Sequence, residues 1–170
     1  MKTLVGREMN IMIDTEIWSY AFKKPQKEKF STYDLFLKAM EMHKKAKELI
    51  SNSLVNPQIK IYVSTHQLAE IFHVLGFRGH QLPLNFVTSL LADIIVSEKI
   101  VKVPVRIEHV VSAIDLSFKT KIHIWDFLCF LPIKDFISKI FTNDEHFKHN
   151  IFSDNGRIEV INPFKDWIKI

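Results

Sequence analysis

The sequence predicts an α/β protein in which helices cover both faces of a central, mostly parallel sheet, giving a three-layer α/β/α sandwich. Short β-rich runs alternate with longer amphipathic stretches along all 170 residues. Strands separated by helices of this length need crossover connections, which make neighbouring strands parallel. The length is typical of one domain, so residues 1–170 are expected to form a single unit around one core.

The predicted strands are short runs rich in β-branched residues, as suits a pleated and half-buried surface. They are residues 10–14 (NIMID), 59–63 (IKIYV), 100–103 (IVKV), 139–142 (KIFT) and 158–161 (IEVI). Ligands of open parallel sheets bind outside the carboxyl ends of the strands. The residues just past each strand are therefore the most informative about function.

Apolar residues recurring at helical spacing predict four longer helices and a short one. The helices cover residues 32–51, Ser64 to Gly76, residues 83–99, residues 106–120, and a short apolar segment near Trp125 that Pro132 ends or kinks. Ser31 and Asp34 have a capping-box-like spacing at the start of the first helix. Ser64 can cap the second helix, and the Gln67 side chain can reach back to Ser64. The lysine-rich segment around Pro25 is predicted as a connection. The first helix has an apolar stripe that is predicted to be core, formed by Leu35, Phe36, Ala39, Met40, Ala46, Leu49 and Ile50. The third has the clearest helical period, at Phe86, Val87, Leu90, Leu91, Ile94 and Ile95, and the fourth has Ile107, Val110, Val111, Ile114 and Phe118 on one side.

The composition is that of a globular protein with a mild preference for polyanions. The chain is 47% apolar and 25% charged, with four Gly and six Pro, which excludes disordered and collagen-like classes. Lys and Arg outnumber Asp and Glu by 23 to 19. Cys129 is the single cysteine, so a disulfide framework and a cysteine zinc site are excluded and a reducing cytoplasm is expected. Neither an export signal nor a membrane-spanning segment is predicted.

Four carboxylates stand at informative places. Asp14 ends the first strand, Asp144 lies two residues past the fourth, and Glu70 lies in the helix after the second. Asp126 interrupts the apolar run IHIWDFLCFL. An ionised carboxylate in such surroundings costs several kcal/mol unless it is paired or binds a cation. Asp126 is therefore the strongest individual candidate for a functional acid.

Taken alone, each acid also has an ordinary explanation: Asp14 as an Asx-turn, Glu70 as a half-exposed helix residue, and the other two as helix caps. If the fold brings the four together, two carboxylates about 5 Å apart repel by roughly 3 kcal/mol at an effective dielectric of 20. A divalent cation is then expected. Oxygen ligands without a cysteine site favour Mg²⁺ or Mn²⁺, and such a cluster suits phosphodiester hydrolysis.

Four segments in order resemble the motifs of the PIN-domain family. IMIDTEIWSYAF resembles the opening strand and acid, STHQLAEIFHVL the helix-borne Glu motif, IHIWDFLCF the third motif, and IFTNDEHF the Thr-x-Asp motif. The order of the acids is similar to that in VapC-type toxins, and IEVINPFKDW resembles their closing strand and tail. The resemblance covers nearly the whole chain and implies a PIN-like, Rossmann-like fold.

The resemblance implies an endoribonuclease that uses Mg²⁺ or Mn²⁺, often a homodimer and often inhibited by a small antitoxin. Asp14, Glu70, Asp126 and Asp144 would then be the catalytic and metal-binding set, with Thr142 as a supporting hydroxyl. Two departures stand out. Glu16 adds an acid to the first motif, where a small polar residue is more usual, and Pro132 interrupts a helix that usually continues.

Two other functions remain open from the sequence. One is a PIN-like module that has lost catalysis and binds RNA or protein, and the other is a phosphatase or a nuclease acting on DNA flaps. Three further patterns favour ordinary surface positions over a functional role: the seven-residue recurrence of His66, His73 and His80, the pair His146 and His149, and the cluster Lys23, Lys24, Lys27 and Lys29. The lysines have an alternative role as phosphate contacts along an RNA.

Overall fold

The computed structural model describes residues 8–164, and five parallel strands form one sheet at its centre. The strands are Met9–Ile13 (β1), Ile59–Ser64 (β2), Ile100–Val103 (β3), Lys139–Phe141 (β4) and Glu159–Ile161 (β5). Their order is β3-β2-β1-β4-β5, and every neighbouring pair is parallel. The predicted fold class is confirmed, and each predicted strand lies within one residue of its observed bounds.

Helices cover both faces of this sheet. In the described part of the chain they are Thr15–Phe22 (α1), Tyr33–Val55 (α2), Thr65–Phe77 (α3), Leu84–Val96 (α4), Ile107–Thr120 (α5), Ile124–Phe130 (α6) and Asn150–Ser153 (α7). Side chains alternate across β1, so that Ile11 and Ile13 face one core and Met12 the other. The first core packs against α1 to α4 and the second against α5 to α7.

The segment predicted as a connection after β1 contains helix α1, so that prediction was wrong. Asp14 does not end the strand but caps this helix, accepting a hydrogen bond from the backbone N–H of Thr15. Ile17 and Trp18 are buried in the first core. Eight residues give only two helical turns, which is too short for a clear apolar period in the sequence.

Parts of three predicted apolar stripes lie outside the core. Leu35 on α2 is exposed while Met42 is buried, and Phe86 and Ile95 on α4 are exposed. Helix α5 departs most: its four residues Ile107, Val111, Ile114 and Phe118 are 56–74% exposed, whereas Ala113 is buried. Periodicity identifies an apolar stripe on a helix, but it does not determine which side packs against the sheet.

The helix boundaries follow local chemistry. Ser64 caps α3 as predicted, accepting from the backbone N–H of Gln67, but the Gln67 side chain donates to the carbonyl of Ile13 instead of reaching back. Gly76 does not end α3; a Cβ there would lie 2.9 Å from Leu84 Cδ2, so glycine permits the close approach of α4. Helix α6 ends at Phe130, just before Pro132, as predicted.

This arrangement places the carboxyl ends of β1, β2 and β4 along one edge of the sheet. Asp14 follows β1 directly, β2 leads into the helix that carries Glu70, and β4 is followed by residues 142–144. Within residues 8–164, no helix combines the length and apolarity needed to cross a membrane. Residues 165–167 of the predicted closing segment lie outside the described part of the chain.

Candidate active site

Asp14 lies deepest among the four predicted carboxylates, with 9% of its surface exposed. Its Oδ1 accepts from the backbone N–H of Thr15 at 2.7 Å, and its Oδ2 accepts from the Thr142 hydroxyl at 2.7 Å. Thr142 itself follows β4, the strand paired with β1. Because α1 begins at this position, Asp14 is both the cap of that helix and a buried carboxylate at the sheet edge.

Glu70 lies beside Asp14 and is linked to it through Thr15. The Thr15 hydroxyl donates to Glu70 Oε2 at 2.5 Å, while the backbone N–H of the same residue holds Asp14. The Cys129 thiol, on α6, also donates to Glu70 Oε2 at 3.4 Å. Burial raises the pKa of Cys129, with a further contribution from the Glu70 charge, so the thiol keeps its proton. We call Asp14 and Glu70 the inner pair.

Asp126, Asp144 and His146 form a second cluster, the outer group. The His146 Nδ1 lies 3.1 Å from Asp126 Oδ2 and 3.5 Å from Asp144 Oδ1. One ligand atom from each of the three residues lies within 4.8 Å of the other two. The side chains of Asp126 and Asp144 are 18% and 36% exposed, so both reach solvent more than Asp14 does.

Local structure fixes both outer carboxylates. Asp126 lies in the first turn of α6, where the N-cap is His123, so its expected role as the cap itself was wrong. Asp144 does cap the short 3-10 turn Glu145–Lys148, accepting from the backbone N–H of His146 at 2.9 Å. Its own N–H donates to the Thr142 hydroxyl at 2.9 Å. Thr142 therefore connects the outer group to the inner pair.

Electrostatic coupling shows that the four carboxylates share one neighbourhood. Burial raises the pKa of Asp14 well above its usual value, the Thr142 hydrogen bond opposes this, and the charges of Glu70 and Asp126 add to it. The pKa of Asp126 is raised to about 6, mainly by burial and then by the charges of Asp144 and Glu70, against the lowering effect of His146. For Asp14 and Asp126, the ionised form is therefore disfavoured while positive charge is scarce.

Glu16 lies next to this cluster without entering the outer group. The Tyr20 hydroxyl donates to Glu16 Oε1 at 2.8 Å. Burial raises the pKa of Glu16, the Tyr20 hydrogen bond lowers it, and the Asp144 charge raises it. The extra acid of the first motif is therefore within electrostatic reach of the site and is held by a partner on its own helix.

Three of the four carboxylates, Glu70, Asp126 and Asp144, line a cleft of about 700 Å³ between α3 and α6, and Asp14 lies buried behind them. Its lining combines acids, aromatic rings and one guanidinium, contributed by His66, Ala69, Glu70, His73, Arg78, His123, Trp125, Asp126, Asp144 and His146. A second groove of about 440 Å³ lies beside it and includes Lys23, Lys24, Lys29, Arg78 and His80. Arg78 lines both, so the acidic cleft continues into a basic one.

Sequence reasoning missed several contributors to the site. His146 was assigned to the surface, although it contacts both outer carboxylates; its position two residues after Asp144 was the one signal available. Cys129 is a buried residue as expected, but its thiol also contacts Glu70. His66 and His73 line the cleft and His80 the basic groove, and the metal-binding cluster found within residues 8–164 includes none of them.

The donor set fits a divalent cation. Ligand atoms on opposite sides of Mg²⁺ lie about 4.2 Å apart, with bonds of about 2.1 Å. The ligand atoms of the outer group lie within 4.8 Å of one another, so they need only a small inward movement. Carboxylate oxygens suit Mg²⁺ and Mn²⁺, and the imidazole nitrogen of His146 adds a donor that suits transition metals better than Mg²⁺. The raised pKa values of Asp14 and Asp126 show where positive charge would be stabilising.

Two solved structures resemble the whole fold. VapC20 of Mycobacterium tuberculosis, described as a sarcin–ricin loop cleaving toxin, aligns with a TM-score of 0.58 at 18% identity over 81% of this chain and 92% of that chain. VapBC2 of Rickettsia felis, solved bound to a DNA fragment from its promoter, aligns with a TM-score of 0.54 at 16% identity over 91% and 98%. No protein-family model and no curated protein sequence matches. The chain therefore has the PIN-domain fold of the VapC type.

Proposed function

We propose that this protein is a divalent-metal-dependent endoribonuclease that hydrolyses RNA phosphodiester bonds and acts as the toxin of a toxin–antitoxin pair. The observation that carries the proposal is that Glu70, Asp126 and Asp144 line one cleft at the carboxyl edge of a parallel sheet, and that Thr15 and Thr142 link the buried Asp14 to them. The VapC-type fold supports it, because VapC20 is described as a sarcin–ricin loop cleaving toxin. A carboxylate cluster at this edge suits phosphodiester hydrolysis.

In this proposal Asp14, Glu70, Asp126 and Asp144 hold Mg²⁺ or Mn²⁺. The cation would activate water for attack on phosphorus and offset the charge that builds on the phosphate. Thr142 positions Asp14 by donating its hydroxyl proton to Oδ2. Glu16 is a supporting acid, since it is held by Tyr20 and senses the Asp144 charge.

The proposed substrate is a single-stranded or loop RNA. The cleft is lined by aromatic rings as well as acids, and unpaired bases can reach such rings whereas the stacked bases of a duplex cannot. The basic groove shared through Arg78 offers cations for the phosphates on one side of the cleavage point. This gives Lys24 and Lys29 the backbone-tracking role that their sequence cluster allows, whereas the Lys23 ammonium donates to the carbonyls of Val74 and Arg78.

The proposed partners are a small antitoxin and a second copy of the chain. The exposed apolar stripe of α5, formed by Ile107, Val111, Ile114 and Phe118, supports a protein contact because it leaves large side chains in water. The likeness to VapBC2 supports the antitoxin. A cytoplasmic location is part of the same proposal and follows from the single, unpaired cysteine.

The test is cleavage of labelled RNA by the purified protein. The substrates are a hairpin carrying the sarcin–ricin loop, an unstructured RNA and DNA of the same sequences, each with Mg²⁺, Mn²⁺ or EDTA. We expect cleavage of RNA alone, dependent on the cation. Asp14→Asn and Asp126→Asn should each lower the rate by about 1,000-fold or more, because several kcal/mol of charge stabilisation is lost.

Asp93→Asn, an exposed acid on α4, is the matched control and should cleave at the wild-type rate. Equal residual cleavage in both site variants would indicate a contaminating nuclease and contradict the proposal. Cleavage of DNA flaps with RNA left intact would move the substrate class to DNA. Absence of both cleavage and Mn²⁺ binding by calorimetry would instead favour the non-catalytic binding module.

A further inference from the structure

The wall of the cleft beside the carboxylates is built from stacked aromatic rings. His66 on α3 stacks on Trp125 of α6, with ring centroids 4.9 Å apart and an interplanar angle of 10°. His123 lies 5.8 Å from the same indole at 37°. All three residues line the cleft. We call the stacked pair of His66 and Trp125 the aromatic platform.

The platform is adjacent to both acidic groups. Trp125 immediately precedes Asp126, and His66 lies one helical turn before Glu70 on the same face of α3. The Glu70 charge acts on the His66 imidazole, which places that ring within electrostatic reach of the inner pair. A planar group stacked here would therefore lie next to whatever the carboxylates bind.

Core packing does not account for Trp125. The indole is 47% exposed, and it belongs to neither of the two buried cores. The next residues of α6, Phe127 and Phe130, fill the second core from the opposite side of the helix. A large aromatic ring left in water at the mouth of a polar cleft is typical of a ligand contact.

We propose that the aromatic platform stacks a nucleobase of single-stranded RNA beside the scissile phosphate. This inference rests on the proposed ribonuclease function and names the group that its substrate must present. Every base has a flat π face, so a stacking contact selects unpaired nucleotides with little regard to sequence. A base and its phosphate are joined through one sugar, so a base on Trp125 brings a phosphate towards the outer group.

The first experiment measures binding without metal or cleavage. Adenosine, which carries no phosphate to be repelled by the acids, is titrated into the full-length protein in EDTA while tryptophan emission is recorded. We expect quenching as adenosine stacks on Trp125. Trp18 is buried, and the variant Trp125→Phe reports the emission of the remaining tryptophans. Absence of quenching in the wild type, or equal quenching in Trp125→Phe, would overturn the proposal.

The second experiment measures cleavage of an unstructured RNA. Trp125→Ala should raise KM by about 5- to 150-fold, the effect of losing one base stack, with kcat changed less than about threefold. Trp125→Phe should restore most of the KM. A lower kcat at unchanged KM would show that Trp125 only supports Asp126, and this outcome would also overturn the proposal.

Phe136→Ala is the matched control. Phe136 is a half-exposed ring that stacks on Tyr62 with centroids 5.7 Å apart at 10°, but it lies before β4, at the opposite edge of the sheet. We expect its KM to equal that of the wild type. If the wild type cleaves no RNA at all, the proposed function fails, while the adenosine titration still decides the platform.

Discussion

The inner pair and the outer group differ in the hydrogen-bond donors that stabilise their crowded carboxylates. Asp14 and Glu70 accept from two hydroxyls, a backbone N–H and a thiol, all fixed by the fold. Within residues 8–164, the side chains of Asp126 and Asp144 accept from one residue, His146, through its ring and its backbone. The inner pair is therefore positioned by protein donors alone, and the outer group depends more on added positive charge.

We therefore expect the inner pair and the outer group to have different roles at the site. Donors that are already in place cost little further reorganisation, so the inner pair offers a preorganised wall to a cation. The outer group is nearer to solvent, and Asp126 directly follows Trp125 of the aromatic platform, where the proposed RNA substrate would enter. Thr142 joins the two, because its hydroxyl donates to Asp14 and accepts from the Asp144 N–H.

The largest expected effect concerns metal affinity. Asp126→Asn should weaken Mn²⁺ binding by about 1,000-fold, or about 4 kcal/mol, since it removes a charge that few protein donors offset. Glu70→Gln should weaken it by about tenfold, because the fold already satisfies that side chain. Calorimetric titration measures both, with the exposed acid Glu145→Gln as a control that should bind normally. Equal losses of Mn²⁺ affinity in Asp126→Asn and Glu70→Gln would show that the inner pair and the outer group depend equally on the cation.

The next effect is the pH dependence of metal-free stability. The pKa of Asp126 is raised from 3.8 to about 6 in the folded protein, so the folded state holds this proton more tightly than the unfolded state. The protonated Asp126 side chain therefore contributes fully to the free energy of unfolding below about pH 4. This contribution, about 3 kcal/mol, is lost as the pH rises through about 6.

Urea unfolding in EDTA at pH 4 and pH 7 tests this sign. Asp126→Asn should match the wild type at pH 4 and be more stable by about 2–3 kcal/mol at pH 7, because the amide does not ionise. Mn²⁺ should then stabilise the wild type and leave the variant unchanged. A variant that is less stable than the wild type at pH 7 without metal would contradict a destabilising charge on Asp126.

The smallest expected effect concerns the residue that connects the groups. Thr142→Val keeps the shape but leaves Asp14 Oδ2 without its hydroxyl donor, which should lower the free energy of unfolding by about 1–3 kcal/mol at pH 7. Thr88→Val on α4 is the control, because its hydroxyl bonds only to exposed backbone carbonyls and should matter by less than about 0.5 kcal/mol. Equal losses would mean that the Thr142 bond has no special importance.

The sequence was sufficient for the strand and helix order because strands and most helices carry local signals. Alternation of short β-rich runs with amphipathic stretches predicted the parallel sheet, and Asp126 stood out because its neighbours are apolar. Helix α1 was missed because two turns are too short for a clear period. The exposure of most of the α5 stripe could not be predicted, because a helical period shows that apolar residues share one side of a helix and not whether the sheet covers that side.

By itself, the sequence determined the fold class and drew attention to Asp14, Glu70, Asp126 and Asp144 as candidates. Only the tertiary structure decided how each is held: Thr15 and Glu70 are 55 residues apart in the chain, and Asp14 and Thr142 are 128 apart. The same holds for His146 and the aromatic platform, whose partners lie on other elements. Hydrogen bonds and ring contacts depend on distances in space, and those distances exist only after the parallel strands align their carboxyl ends.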